Sequence, residues 1–190
     1  MKRAVFLDRD GCLIEEVEYL STIADIKLIE GAAKALLELK KAGFLIILLT
    51  NQSGVARGYF TESFVQKAHG ALQAMLHKEG VMLDAIYYCP HHVKGNAPYN
   101  IDCECRKPKL GMLKAAQKEL AAKKIELDLE NSFMIGDKLA DVELGYTGLQ
   151  EGVLVQTGHG KSETGKVLDQ YPDTHIAPSI VEAISYLLSK

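Results

Sequence analysis

Residues 32–51 read AAKALLELKKAGFLIILLTN. Ala32–Lys41 sets its leucines and alanines at helical intervals, and Gly43 ends the helix. Phe44–Leu49 follows as an apolar run without a polar break, the pattern of a strand covered on both faces. Thr50 closes it. Upstream, Ala4–Leu7 is another short apolar run, and it ends at Asp8. Strand, helix and buried strand in that order make a βαβ-like unit, which implies a parallel sheet.

The alternation continues outward. Thr61 caps an amphipathic helix expected to run to about Glu79, and Ala85–Tyr88 reads as the next strand. Gly111–Lys124 is helical in period, and Ser132–Ile135, Lys138–Tyr146, Val153–Val155 and Ile180–Leu188 complete the series. The expected fold class is α/β, a Rossmann-like, mostly parallel sheet with helices on both faces, forming a single domain over residues 1–190. Two segments break the alternation, Cys12–Ile29 and Pro90–Leu110. Loops of that length inside a domain are usually functional or held by something, and these are too short for a large cap.

The bulk properties narrow the function. The 190 residues carry a net charge of −3, with 47% apolar and 25% charged residues, which suits a globular chain and excludes a disordered one. Nothing in that balance favours nucleic acid or an anionic membrane as a partner. The longest apolar run falls far short of the ~20 residues that span a bilayer. The first apolar run ends at Asp8, too early for a secretion signal, so a cytoplasmic protein is expected. No long apolar stripe is left unassigned, and a monomer is expected.

Asp8, Asp10, Thr50 and Asp137 all fall just past the carboxyl ends of expected strands, where open parallel sheets bind ligands. Lys107 lies in the second long loop. Together they match the needs of phosphoryl transfer: a nucleophile, a proton carrier, oxygen ligands for Mg²⁺, and donors for the phosphoryl oxygens. Thr50 and the amides of Asn51, Gln52 and Ser53 are candidate donors, and Lys107 supplies positive charge. Any one of these residues alone reads equally well as a turn, a cap or a solvated charge. The set carries the reading.

The segments DRDGC, LLTNQSG, RKP and MIGDKLAD occur in this order, and they resemble the four motifs of the haloacid-dehalogenase-like phosphatases. The resemblance implies that Asp8 attacks phosphorus, giving an aspartyl phosphate, and that Asp10 protonates the leaving oxygen and then activates water. It implies Mg²⁺ bound by the side chains of Asp8 and Asp137 and the backbone carbonyl of Asp10. Thr50, Arg106 and Lys107 complete the implied catalytic set, and Asp141 supports the Mg²⁺ waters. Cys12 departs from the threonine or valine usual in the pattern, a small substitution that should fit.

The second long loop has chemistry of its own. CPHHVKGNAPYNIDCEC places Cys89 and His91 one residue apart, and Cys103 and Cys105 likewise. Three thiolates and an imidazole suit a closed tetrahedral Zn²⁺ site, which would order residues 89–110 where no apolar core can. A small buried Cys89 with a merely exposed His91 is the plainer alternative. A zinc staple there would set the positions of Arg106 and Lys107, which follow directly.

The C-x-H, C-x-C-R-K-P and T-N-Q-S-G patterns resemble a narrower group, the heptose 1,7-bisphosphate 7-phosphatases and the related histidinol-phosphatases, along nearly the whole chain. That resemblance implies a small phosphorylated sugar as substrate, in heptose nucleotide precursor biosynthesis, and a pocket lined by Glu16, Val17, Glu18, Tyr19, Thr50, Asn51, Gln52, Ser53, Arg106, Lys107 and Lys138. Glu16 and Glu18 would also suit the cationic amine of histidinol phosphate. A zinc-stabilised binding module without turnover is the alternative from another class. Phosphate release with and without Mg²⁺ separates it from an enzyme.

Overall fold

In β1 (Ala4–Leu7), Val5 and Leu7 enter one apolar core while Ala4 and Phe6 enter another. The same alternation recurs in β2 (Leu45–Asn51), where Ile46 and Leu48 face the first core and Ile47 and Leu49 the second. A strand so short survives because it is covered on both sides. Each fully buried aliphatic side chain contributes roughly 1.5–3 kcal/mol relative to exposure, more than strand propensity supplies.

The computed structural model describes residues 1–190. With β3 (Ala85–Cys89), β4 (Phe133–Gly136), β5 (Glu151–Val155) and β6 (Ile176–Ala177), the strands form one sheet in the order β3-β2-β1-β4-β5-β6, parallel throughout. Helices α1 (Ala32–Lys41), α3 (Glu62–Lys78) and α7 (Ile180–Leu188) cover one face. Helices α4 (Gly111–Ala122), α5 (Leu139–Gly148) and α6 (Gly160–Gln170) cover the other. The chain runs outward from β1 to β3, recrosses through α4 and resumes at β4 on the opposite side of β1. The strand order therefore reverses between β1 and β4, and the crevice beyond their carboxyl ends lies between Asp8 and Asp137.

The expected α/β class, the helices on both faces and the absence of a large cap hold. The third strand extends one residue further than expected, to Cys89, and α3 ends at Lys78. Two 3-10 turns, Ile23–Asp25 and Leu129–Asn131, were not expected, nor were the single turn α2 (Ser53–Ala56), α6 and the two-residue β6. No helix is long and apolar enough to cross a membrane.

Candidate active site

Asp8 leaves β1 with its backbone still in the sheet, its N–H donating to the Ile135 carbonyl at 2.9 Å. The residue is 6% exposed. Oδ1 accepts from the Arg9 amide at 2.8 Å and lies 3.1 Å from Lys107 Nζ. Burial works to raise the Asp8 pKa, but the charges of Lys107 and Lys138 and the Arg9 amide outweigh it and leave the pKa below the ordinary value.

Lys107 reaches this point from the loop after β3. Its ammonium lies 2.6 Å from Asp141 Oδ1, and it donates to the Leu49 carbonyl at 2.6 Å. Two carboxylates beside the ammonium keep it charged: burial pulls its pKa down, and Asp141 and Asp8 push it above the ordinary value. Thr50, buried at the end of β2, accepts from Gln52 Nε2 at 2.9 Å and so keeps its own hydroxyl proton free to donate.

Asp137 follows β4, and its carboxylate is wedged between two backbones. A Cβ on Gly11 or Gly158 would fall 2.3 and 2.4 Å from Asp137 Oδ2, and both glycines have positive φ, 72° and 55°. Only glycine admits such an approach at that conformation. Oδ2 accepts from the His159 amide at 2.8 Å, while Oδ1 is buried with no hydrogen-bond partner. Burial, with the charges of Asp8 and Asp141, pushes the Asp137 pKa up to about 7. Oxygens of Asp8, Asp137 and Asp141 lie within 4.8 Å of one another. An orphaned carboxylate oxygen among three buried acids is what a hard divalent cation satisfies, so the residues fit Mg²⁺.

The Asp10 side chain turns away from this triad. Oδ1 accepts from Arg9 Nε at 3.1 Å and Nη2 at 3.0 Å, and Oδ2 from Gln52 Nε2 at 2.8 Å. It faces a cleft of about 230 Å³ lined by Arg9, Glu16, Glu18, Tyr19, Asn51, Gln52, Ser53, Phe60, Lys138 and His159, among others.

The cysteine and histidine loop is folded around its four candidate ligands. Cys89 Sγ lies 3.4 Å from Cys103 Sγ and 3.0 Å from Cys105 Sγ, Cys103 and Cys105 are 3.3 Å apart, and His91 Nδ1 is 3.2 Å from Cys105. The sulfur edges are somewhat shorter than the ~3.8 Å edge of a tetrahedron with ~2.3 Å Zn–S bonds. The donor set is compatible with zinc. Tyr99 of the loop and Tyr88 of β3 both donate to Glu62 of α3, at 2.7 and 2.6 Å, so one carboxylate ties the loop to the helix and the strand.

Residues 104–183 match the HAD-hydrolase-like family. A D-glycero-β-D-manno-heptose-1,7-bisphosphate 7-phosphatase from Pasteurella multocida is 43% identical over 97% of this chain and 99% of its own length. One from Haemophilus influenzae is 44% identical over 90% and 91%. The chain belongs to the haloacid-dehalogenase-like heptose bisphosphate phosphatases. A D,D-heptose 1,7-bisphosphate phosphatase from B. bronchiseptica, complexed with magnesium and phosphate, superposes with a TM-score of 0.81 at 28% identity, covering 100% of this chain and 99% of the other.

Most of the site residues expected from the sequence come together in the structure of this haloacid-dehalogenase-like phosphatase. Glu16, Glu18, Tyr19, Asn51, Gln52, Ser53 and Lys138 line the cleft, Lys107 stands beside Asp8, and Thr50 bonds Gln52. Val17 and Arg106 do not line it; Arg106 instead donates to the His91 carbonyl at 3.3 Å. The Gln52 amide, expected to face a phosphoryl oxygen, donates to the Cys89 carbonyl at 2.8 Å. Arg9, Phe60 and His159 were missed. The signal for His159 was present, since TGHG follows β5 at the same carboxyl edge as the other site residues.

Proposed function

We propose that the chain hydrolyses the C7 phosphate of D-glycero-β-D-manno-heptose 1,7-bisphosphate through an aspartyl phosphate on Asp8. The observation that carries this reading is the buried group in which Lys107 Nζ lies 3.1 Å from Asp8 and 2.6 Å from Asp141, beside an Asp137 oxygen without a partner. Two relatives above 40% identity over nearly the whole chain support the choice of sugar.

Asp8 is the nucleophile. Lys107 keeps it ionised and oriented through its charge. Asp8, Asp137 and the Asp10 backbone carbonyl would hold Mg²⁺, with Asp141 beside them. When bound, Mg²⁺ neutralises charge on the phosphoryl oxygens. Thr50 donates its free proton to a phosphoryl oxygen. As the Asp8–phosphorus bond forms and the bond to the sugar oxygen breaks, Asp10 gives that oxygen a proton; it then takes one from the water that cleaves the aspartyl phosphate. Lys138 faces the substrate from the cleft wall.

Cys89, His91, Cys103 and Cys105 bind a structural Zn²⁺ that fixes the strand-to-loop path leading to Lys107.

Phosphate release from the β-heptose bisphosphate, its α-anomer and histidinol phosphate, each with and without Mg²⁺, tests the reading. Preference for the β-bisphosphate is expected. Preference for histidinol phosphate, which Glu16 and Glu18 would favour, overturns the substrate, and no release from any of them overturns the enzyme.

A further inference from the structure

Arg9 is the chain's one buried arginine, 2% exposed, and it sits between Asp8 and Asp10. Every end of its guanidinium is engaged. Nε and Nη2 reach Asp10 Oδ1 at 3.1 and 3.0 Å, Nη2 also lies 3.0 Å from Asp10 Oδ2 and 2.9 Å from Gln52 Oε1, and Nη1 lies 3.4 Å from His69 Nε2. Gln52 closes the circuit, its Nε2 donating to Asp10 Oδ2 at 2.8 Å and to Thr50 Oγ1 at 2.9 Å. With Oε1 facing Arg9, the Gln52 amide can present only its NH₂ to Asp10.

His69 lies on α3, far from the substrate cleft in sequence, and is 7% exposed, with its ring edge-on to Tyr88. Burial and the neighbouring Arg9 charge push its pKa down to about 3, so it faces Arg9 as a neutral acceptor. A second cation there would repel the first.

We infer that Arg9, backed by His69 and coupled through Gln52, is a positioning residue that holds the Asp10 carboxyl toward the leaving-group oxygen. The inference rests on the proposed role of Asp10 as the proton donor. The physical case is geometric. An aspartate turns about two side-chain bonds, and a proton donor is useful only within hydrogen-bond reach of one oxygen at one moment. A planar guanidinium on one edge and a fixed amide on the other remove that freedom, and the rigid fork is something lysine cannot reproduce. The effect of Arg9 passes through Asp10.

A purely neutralising role for Arg9 would be felt equally by any leaving group, so leaving-group dependence separates the two roles. The Mg²⁺-loaded full chain is mixed in excess with β-heptose bisphosphate or with 2,4-dinitrophenyl phosphate, and the first-turnover rate of leaving-group release is followed. A sugar alkoxide needs the proton; dinitrophenolate leaves without it. For Arg9→Met, release of the sugar should slow roughly 30- to 100-fold while dinitrophenolate release changes less than about 3-fold, as expected when general-acid catalysis alone is impaired. Arg9→Lys should recover only part of the loss. His69→Leu should show the same contrast at about 10-fold, and His69→Gln, which restores an acceptor, should recover most of it. Equal loss on both substrates, or loss on neither, overturns the inference. If Arg9→Met does not fold, the His69 pair decides on the same terms. Asp10→Asn is the control: if it too lacks the contrast, the proton-donor role of Asp10 fails instead, and the two failures are distinguished.

Discussion

Asn51 and Lys107 are joined by a reciprocal pair of hydrogen bonds: the Lys107 amide donates to Asn51 Oδ1 at 3.0 Å, and Asn51 Nδ2 donates to the Lys107 carbonyl at 3.1 Å. The side chain of Asn51 thus pairs with the Lys107 backbone as a strand would, across 56 residues of sequence. The tip of β2 thereby fixes where the long loop delivers its ammonium.

Asn51→Ala should release that grip. Loss of two partly buried hydrogen bonds amounts to about 1–3 kcal/mol, so kcat/KM should fall on the order of 10- to 100-fold. The loss should fall mainly on kcat, because Asp8 loses its oriented partner, and steady-state kinetics on the Mg²⁺-loaded enzyme checks it. A pure KM effect would assign Asn51 to substrate contact alone.

Lys107→Met should destabilise the metal-free fold by about 3–5 kcal/mol, since it leaves the buried carboxylates of Asp8 and Asp141 without their cation. Adding Asp141→Asn to that variant should recover part of the loss. Denaturant unfolding of both singles and the double measures the coupling, and strict additivity would mean that the two side chains do not interact.

Asp137 gives a pH dependence whose sign can be worked out. Its folded pKa is raised from 3.8 to about 7, so between those values the native state keeps a proton that the unfolded state releases. The metal-free protein therefore loses stability as pH rises through that window, by an amount on the order of a few kcal/mol. Asp137→Asn removes this component. Its stability advantage over the parent, measured without metal, should grow from pH 4 to pH 7 and then level off. Mg²⁺, which favours the ionised carboxylate, should stabilise the parent most above pH 7 and the variant little. An advantage independent of pH would contradict the account.

Cys103→Ser should lower bound zinc from about one ion per chain to well below it, and should cost about 2–3 kcal/mol, a fall in Tm of roughly 5–10 °C for a chain of this size. Activity should fall second, through displacement of Lys107. Metal analysis and melting curves on the same preparation provide the check, and full zinc with unchanged melting would remove the structural metal.

Much of this was legible from the order of residues alone. Apolar runs such as Phe44–Leu49 have few alternatives to a buried strand, and polar residues that end them must emerge at one edge of a parallel sheet. Asp8, Thr50 and Asp137 were found in that way. The missed elements lack that signal. In α6 only Gly160 and Val167 are buried, and with a sequence as polar as GKSETGKVLDQ there is no apolar stripe to read. The two residues of β6 are too short to show any period. Arg9 carried no signal of its own, because its burial depends on Gln52 and His69, partners 43 and 60 residues away. Arg106, which the resemblance put in the pocket, directs its guanidinium to the His91 carbonyl where the chain bends before Lys107.

The central claim is that Asp8 carries the C7 phosphoryl group. The most direct measurement is acid quenching of the Mg²⁺-loaded enzyme during turnover of β-heptose bisphosphate, with peptide mass spectrometry and phosphorus NMR of the sugar product. The account predicts one phosphoryl group on the peptide containing Asp8, none in Asp8→Asn, and a product that keeps its C1 phosphate. Turnover by Asp8→Asn, phosphate on another side chain, or a sugar that has lost the C1 group would contradict it.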